Sequence, residues 1–260
     1  MGCTPPIDLA NVDHVRETRF GIWFLGTQTW VQFVLEAAVA DLLDLLGNSR
    51  PQDVDAVLDV GCGQGKSFRL LKQAFNPQLL IGIDANSQIL EKARAQAQRD
   101  RVDVDLRLAN GAATGLADGS VDILFCHQTF HHLVDHEVAI AEFFRVLKPG
   151  GLLLFAESMR VYIHSWAIRW LFRHPMEVQK SAEEYLALIR QAGFRVEPSK
   201  VSYPYLWWSR PDLGVLNRLR VRATPARGER EETLMNLVAV KPESEETSRG
   251  AVTGPFGRVR

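Results

Sequence analysis

The chain has little cysteine, no long apolar run and almost no net charge. Its three cysteines, Cys3, Cys62 and Cys126, form no C-x-x-C pair. An odd, scattered count argues for a reducing compartment and against a disulfide framework. No uninterrupted run of about eighteen apolar residues occurs, so no transmembrane helix is expected. The net charge is −1, which gives the chain no overall attraction to nucleic acid or to an anionic membrane. The N-terminus lacks the basic region and apolar stretch of a secretory signal. Pro6 stands where a myristoylation motif needs Ser or Thr. The start therefore reads as a loose, cytoplasmic terminus. No internal repeat is visible, and 260 residues with 46% apolar content fit one α/β domain of generous size.

What is present is concentrated in V-L-D-V-G-C-G-Q-G, Val57 to Gly65. An apolar strand runs into glycines at alternate positions, Gly61, Gly63 and Gly65. Glycine tolerates φ > 0 and lets the backbone approach a ligand closely. Lys66 to Phe75 reads as a helix whose N-terminal amides would face the same ligand. A second apolar strand, L-L-I-G-I-D, ends in Asp84, a carboxylate able to accept hydrogen bonds from both hydroxyls of a ribose. The unit reads as a nucleoside-binding βαβ. A dinucleotide fingerprint wants G-x-G-x-x-G, and Lys66 occupies its third glycine position. A P-loop matches Gly65-Lys66-Ser67 but finds Val60 at its first glycine.

Strands and helices alternate over 56–60, 65–74, 78–84, 87–99, 103–109, 121–126, 136–147 and 151–156, which implies parallel strands with helical crossovers. Pro149-Gly150-Gly151 reads as the turn into the fifth strand. Ahead of this block, Val31 to Leu46 reads as an amphipathic helix stopped by Gly47. Beyond Glu157, 162–172 reads as an aromatic-rich helix, 181–191 as another helix, 194–203 as a strand and 233–240 as the last strand. The expected divisions are a helical cap over 1–50, a nucleoside-binding domain over 51–241 with a lid insert at about 158–192, and a disordered tail over 242–260.

Four segments in register resemble the class I S-adenosylmethionine (SAM)-dependent methyltransferases, closest to the small-molecule branch that includes the ubiquinone and menaquinone-biosynthesis enzymes. They are V-L-D-V-G-C-G-Q-G, G-I-D-A-N, L-A-D-G-S-V-D-I-L-F-C and the long stretch F-H-H-L-V-D-H-E-V-A-I-A-E-F-F-R-V-L-K-P-G-G-L-L-L-F-A-E, within about Val54 to Glu157. The resemblance implies an α/β fold: a Rossmann-like, doubly wound, mostly parallel seven-stranded sheet with an antiparallel last strand and a helical lid. It also implies SAM as cofactor. Asp59, Gly61 and Gly63 would surround the methionine part, with Asp59 or a water near its ammonium and Gly65 in the same cofactor-binding turn; Asp84 would hold the ribose, and Ala85 would lie against adenine. Asn110 and Gly111 replace the family's usual G-D-A, with the Asn110 amide oxygen accepting from the adenine amino group. The end of the fourth strand, Cys126-His127-Gln128, would lie beside the sulfonium.

The donor carries its own activation, so alignment and water exclusion matter more than a fixed catalytic triad. His127, His131 and His132 are candidate bases, with His132 first, and each also admits a purely structural reading. No carboxylate or cysteine accompanies the three at ligand spacing, so no metal is expected. Trp23, Trp30, Trp166, Trp170, Tyr203, Tyr205, Trp207 and Trp208 either line an apolar acceptor site or seal a small core under the lid. The 162–173 segment also admits lying on a membrane surface. Arg218, Arg220, Arg222, Arg227 and Arg230 read as a solvated loop or as an attraction for an anionic acceptor or RNA, though no aromatic-stacking RNA motif accompanies them. After the fourth strand the chain has C-H-Q-T-F and lacks N/D-P-P-Y/F, which argues against methylation of an adenine or glutamine amino group. The expected activity is methyl transfer to oxygen or carbon of a small, apolar or aromatic acceptor. The alternatives are a non-catalytic SAM-binding regulatory or partner subunit, and a hydride-transfer enzyme that binds NAD.

Overall fold

Seven runs rich in Val, Leu and Ile form one sheet. They are β1 (Ala56–Val60), β2 (Leu79–Asp84), β3 (Asp105–Leu108), β4 (Val121–His127), β5 (Leu147–Ser158), β6 (Val201–Ser202) and β7 (Leu234–Val240). The computed structural model describes residues 18–210 and 228–243. The strand order is β3-β2-β1-β4-β5-β7-β6. β1 to β5 are mutually parallel, and β7 runs antiparallel to its neighbours β5 and β6. This is the expected doubly wound sheet with an antiparallel last strand.

Successive strand side chains alternate between faces. Val57, Ile123, Phe125, Leu154 and Val238 pack under helices Glu36–Leu46, Phe68–Phe75 and Ser87–Asp100. Leu58, Ile81, Leu124, Phe155 and Leu237 pack under His136–Val146 and Ala182–Gln191. Each large apolar side chain so buried contributes roughly 1.5–3 kcal/mol. The same alternation assigns Asp59, Asp84 and His127 to the first of these faces. Asp84 and His127 close β2 and β4, and Asp59 is the penultimate residue of β1, the strand between them. The strand order reverses between β1 and β4, the place where open α/β sheets leave a crevice for a ligand.

Local departures from the expected elements have identifiable causes. The helix after β1 starts at Phe68, because Gly65 N–H donates to the Cys62 carbonyl at 2.9 Å and Gly65 to Ser67 complete the turn. Pro149-Gly150-Gly151 is a bulge inside β5: Leu147 pairs with Val121 and Leu152 with Ile123. The 31–46 helix is preceded by Gln28–Trp30 and opens with a π-helical stretch, Val31–Leu35. The 162–172 helix is two short ones, Arg160–Ile163 and Trp166–Leu171, interrupted at extended Ser165. The 194–203 strand shrinks to Val201–Ser202 plus a bridge from Arg195 to Val240. Pro198, which has no N–H, opens a 3₁₀ turn between them.

The N-terminal segment and the post-β5 segment meet. Phe20 and Phe24 set their rings edge-on to Phe172 at 5.8 and 6.0 Å, and Thr18 Oγ1 donates to the Leu171 carbonyl at 2.8 Å. Gln64 Nε2, from the glycine turn, donates to the Ile22 carbonyl at 2.6 Å. Among the described residues, no helix is long and apolar enough to cross a membrane. Cys3, Arg218, Arg220, Arg222, Arg227 and the 244–260 part of the expected tail lie outside the described residues.

Candidate active site

The crevice between β1 and β4 opens into a cavity of about 380 Å³. Of the sequence-derived candidates, Asp59, Gly61, Gly63, Asp84, Ala85, Asn110, Gly111, His127 and His132 line it. Gly65 and His131 do not. Its size falls in the range of small-molecule sites, about 300–1,000 Å³.

The turn leaves open space for a side chain at one glycine only. All three glycines have positive φ: 67° at Gly61, 52° at Gly63 and 74° at Gly65. A Cβ on Gly61 would stand 2.2 Å from Thr129 Cγ2, and one on Gly65 would stand 2.5 Å from the Phe68 ring. These two glycines make room for protein. At Gly63 the nearest atom to such a Cβ is the Gly61 carbonyl at 3.9 Å. Gly63 therefore presents bare backbone to the cavity.

The two carboxylates beside this turn differ. Asp84 Oδ2 accepts from Gly63 N–H at 3.0 Å and Oδ1 from Asn86 N–H at 2.9 Å, so the main chain fixes its orientation. A carboxylate accepts through about four positions, and these bonds are compatible with ribose hydroxyls as further donors. Asp59 is 2% exposed. Burial pushes its pKa up to about 7, the Asp84 charge adds to the rise, and the hydrogen bond from Ser67 Oγ opposes it. At the other end, Asn110 is buried and its Oδ1 accepts from Ala112 N–H at 2.8 Å. The oxygen expected to face an adenine amino group is thus already engaged in an Asx turn.

The three histidines separate. His127 is 7% exposed, with Phe125 stacked at 5.9 Å and Trp30 tilted at 5.6 Å. Burial lowers its pKa to about 4, and its buried Nε2 has no hydrogen-bond partner among the described residues. His131 points away from the cavity: its Nδ1 lies 2.6 Å from Glu157 Oε2. Glu157 is fully buried at the end of β5, and its Oε1 also accepts from Thr129 and Phe130 N–H at 2.8 Å each. Burial lowers the His132 pKa well below its ordinary value, with His131 and His174 adding to the effect. A base works best with a pKa near the working pH, so these shifts favour orientation over proton removal.

Gln128, between His127 and Thr129, has φ +49°, a conformation that costs a non-glycine residue about 1–3 kcal/mol. Its N–H donates to the Ala156 carbonyl at 2.9 Å, and its Oε1 accepts from Ser158 Oγ at 2.6 Å. His127 and Gln128 also line a second cavity of about 270 Å³, between helix Glu36–Leu46 and the β6–β7 edge. Its walls include Val34, Ala38, Leu206 and Trp208, with Tyr203. Its polar corner is Asp41, which accepts from Asn236 Nδ2 at 2.7 Å and from Ser202 Oγ.

The family model described as a methyltransferase domain matches residues 58–155, the stretch that carries every strand end around the main cavity. These residues form a class I SAM-dependent methyltransferase domain. The chain is 33% identical over 142 residues to a probable S-adenosylmethionine-dependent methyltransferase of Mycolicibacterium smegmatis, covering 54% of this chain and 52% of that one. It is 27% identical over 190 residues to a ubiquinone biosynthesis O-methyltransferase of Brucella anthropi, covering 68% and 76%. The chain spans about half the length of several curated relatives it matches. The crystal structure of a putative sarcosine dimethylglycine methyltransferase from Galdieria sulphuraria superposes with a TM-score of 0.64 at 15% identity, over 86% of this chain and 97% of that one. The cofactor of the methyltransferase domain is SAM. The residues present fit it: bare backbone at Gly63, a main-chain-oriented acid at Asp84, and Ala85, Ile89 and Leu133 as apolar walls.

The structure adds features to which motif reading gave no role: Glu157 and the second cavity. The aromatics outside the nucleoside unit do not all follow the two readings offered for them. Trp30 lines the main cavity, and Tyr203 and Trp208 line the second. Trp166 and Trp170 are 78% and 80% exposed. Tyr205 lies under the Arg230 guanidinium at 3.9 Å, and Arg230 also donates to Glu232 at 2.7 Å. That arginine is therefore held in a local pair.

Proposed function

We propose that the chain transfers the SAM methyl group to oxygen or carbon of a small acceptor with an apolar body and one polar group. The observation that carries this reading is the meeting of two cavities at His127 and Gln128, with the buried Nε2 of His127 lacking a hydrogen-bond partner among the described residues. Buried polar atoms are rarely left so, and an acceptor hydroxyl or carbonyl would satisfy this one. When bound, SAM supplies a sulfonium methyl that needs alignment more than activation.

In this reading Asp84 holds the ribose and Gly63 lies along the cofactor backbone. Ala85 flanks the adenine, with Asn110 and Gly111 near its edge. Asp59 faces the methionine ammonium, and that positive charge would draw its proton off. The acceptor lies in the second cavity, its body against Leu206 and Trp208 and its polar end toward Asp41 or His127. His127, neutral near pH 7, orients the acceptor by a hydrogen bond. Residues Phe20 to Trp30 cover the main cavity and keep water from the transfer.

The test is a screen of small phenols, enols and hydroxylated aromatics with methyl-labelled SAM and the full chain. The reading expects label on oxygen or carbon of at least one acceptor, and a loss of about tenfold or more in kcat/KM for Trp208→Ala. Tight binding of S-adenosylhomocysteine without transfer to any acceptor would contradict it and favour a SAM-binding partner subunit.

A further inference from the structure

Three imidazoles from two distant segments meet beside the main cavity. His131 and His132 come from the 3₁₀ turn after β4, Phe130–His132, and His174 comes from the segment after helix Trp166–Leu171. Their ring centroids are separated by 4.4 Å (His131–His132), 4.7 Å (His132–His174) and 5.1 Å (His131–His174). One nitrogen from each lies within 4.8 Å of the others. Imidazole nitrogens about 2.0–2.1 Å from a shared metal, at tetrahedral to octahedral angles, place their rings about 4.5–5.2 Å apart. The rings already stand close to that spacing.

Two further observations point to a ligand. His131 presents Nδ1 to Glu157 at 2.6 Å. A carboxylate on the far nitrogen is the arrangement that orients a metal-bound histidine and strengthens it as a ligand. Glu157 is distant in sequence, and for this reason ligand spacing along the chain gave no sign of it. On the third residue, His174 Nδ1 is buried and has no hydrogen-bond partner among the described residues. Gln179 adds rigidity, donating through Nε2 to the carbonyls of His131 and Pro175 at 2.8 Å each.

The geometry points to a zinc-type divalent metal site formed by His131, His132 and His174, which clips the segment after β5 to the loop after β4. An all-imidazole donor set suits zinc, copper or nickel over magnesium or calcium. His132 also lines the main cavity, so a fourth ligand, water or acceptor, can approach from there. The site is independent of the methyl-transfer reading, and its occupancy is read without turnover.

The experiment uses the full chain without a histidine tag, stripped with a chelator and dialysed. Zn²⁺ is titrated in competition with a chromophoric chelator, and melting is followed by circular dichroism. The proposal expects one Zn²⁺ per chain, a rise in melting temperature with zinc, and an affinity at least about tenfold weaker in His174→Ala and His174→Gln. Absence of stoichiometric binding, or undiminished affinity in a folded His174 variant, would overturn it. Co²⁺ substitution of the unmodified chain gives a reading that does not depend on the variants folding. Strong visible bands of a four-coordinate imidazole site support the proposal, and a spectrum like that of hydrated cobalt overturns it.

Discussion

At the scale of single residues, the glycine turn separates packing from binding. Gly61 makes room for Thr129 and Gly65 for Phe68, while Gly63 faces the cavity. Gly61→Ala and Gly65→Ala should each cost about 1–3 kcal/mol from overpacking, added to the strain of a side chain at positive φ. Gly63→Ala should meet the strain alone, unfold at higher urea than the other two, and still weaken S-adenosylhomocysteine binding. Thr129→Ala removes the two closest contacts of a Cβ on Gly61 and should partly rescue Gly61→Ala. Urea unfolding and ligand titration of the set check this, and equal loss of stability in all three would contradict it. Asp59 supplies a pH signature. Burial raises its pKa from 3.8 to about 7, so the folded chain keeps a proton that the unfolded chain releases. The resulting stability is complete below the lower value and lost as pH rises through the upper one. Thermal melts should show this fall between about pH 4 and 7, and Asp59→Asn should flatten it.

At the scale of elements, the end of β5 sets the loop after β4. Glu157 accepts from the Thr129 and Phe130 amides and pairs with His131. Glu157→Ala leaves the two amides and the His131 ring without that acceptor, and each buried group so left costs about 1–3 kcal/mol. Urea unfolding should register the loss, and a change under about 1 kcal/mol would refute the role. Parity along the strand explains why this residue acts there. Phe155 and Glu157 face the side that Cys126 faces, whereas His127 faces the cavity side with Phe125. Two neighbouring strands thus deliver a structural acid below the loop and a cavity-lining imidazole above it.

At the scale of the molecule, the sheet and the glycine turn are legible because their information is local. V-L-D-V and L-L-I-G-I-D are apolar runs closed by glycine or acid, and they become β1 and β2 with Asp59 and Asp84 in place. What escapes the sequence depends on distant partners. Glu157 matters through residues 129–131, His174 through the turn after β4, and the second cavity through helix Glu36–Leu46 lying over β7. Asn110, which lines the cavity, also closes a turn: its amide oxygen accepts from the Ala112 N–H. The short β6 and the bulge in β5 are likewise settled by pairing with β7 and β4. The central claim is that the crevice between β1 and β4 grips an adenosyl ligand through Asp84. Calorimetric titration of S-adenosylhomocysteine into the full chain and into Asp84→Ala tests it most directly. The unmodified chain should bind, and the variant should lose roughly a hundredfold or more in affinity, as expected for hydrogen bonds to a charged group worth about 1.5–3 kcal/mol each. Equal affinity in both, or no binding by the unmodified chain, would contradict it.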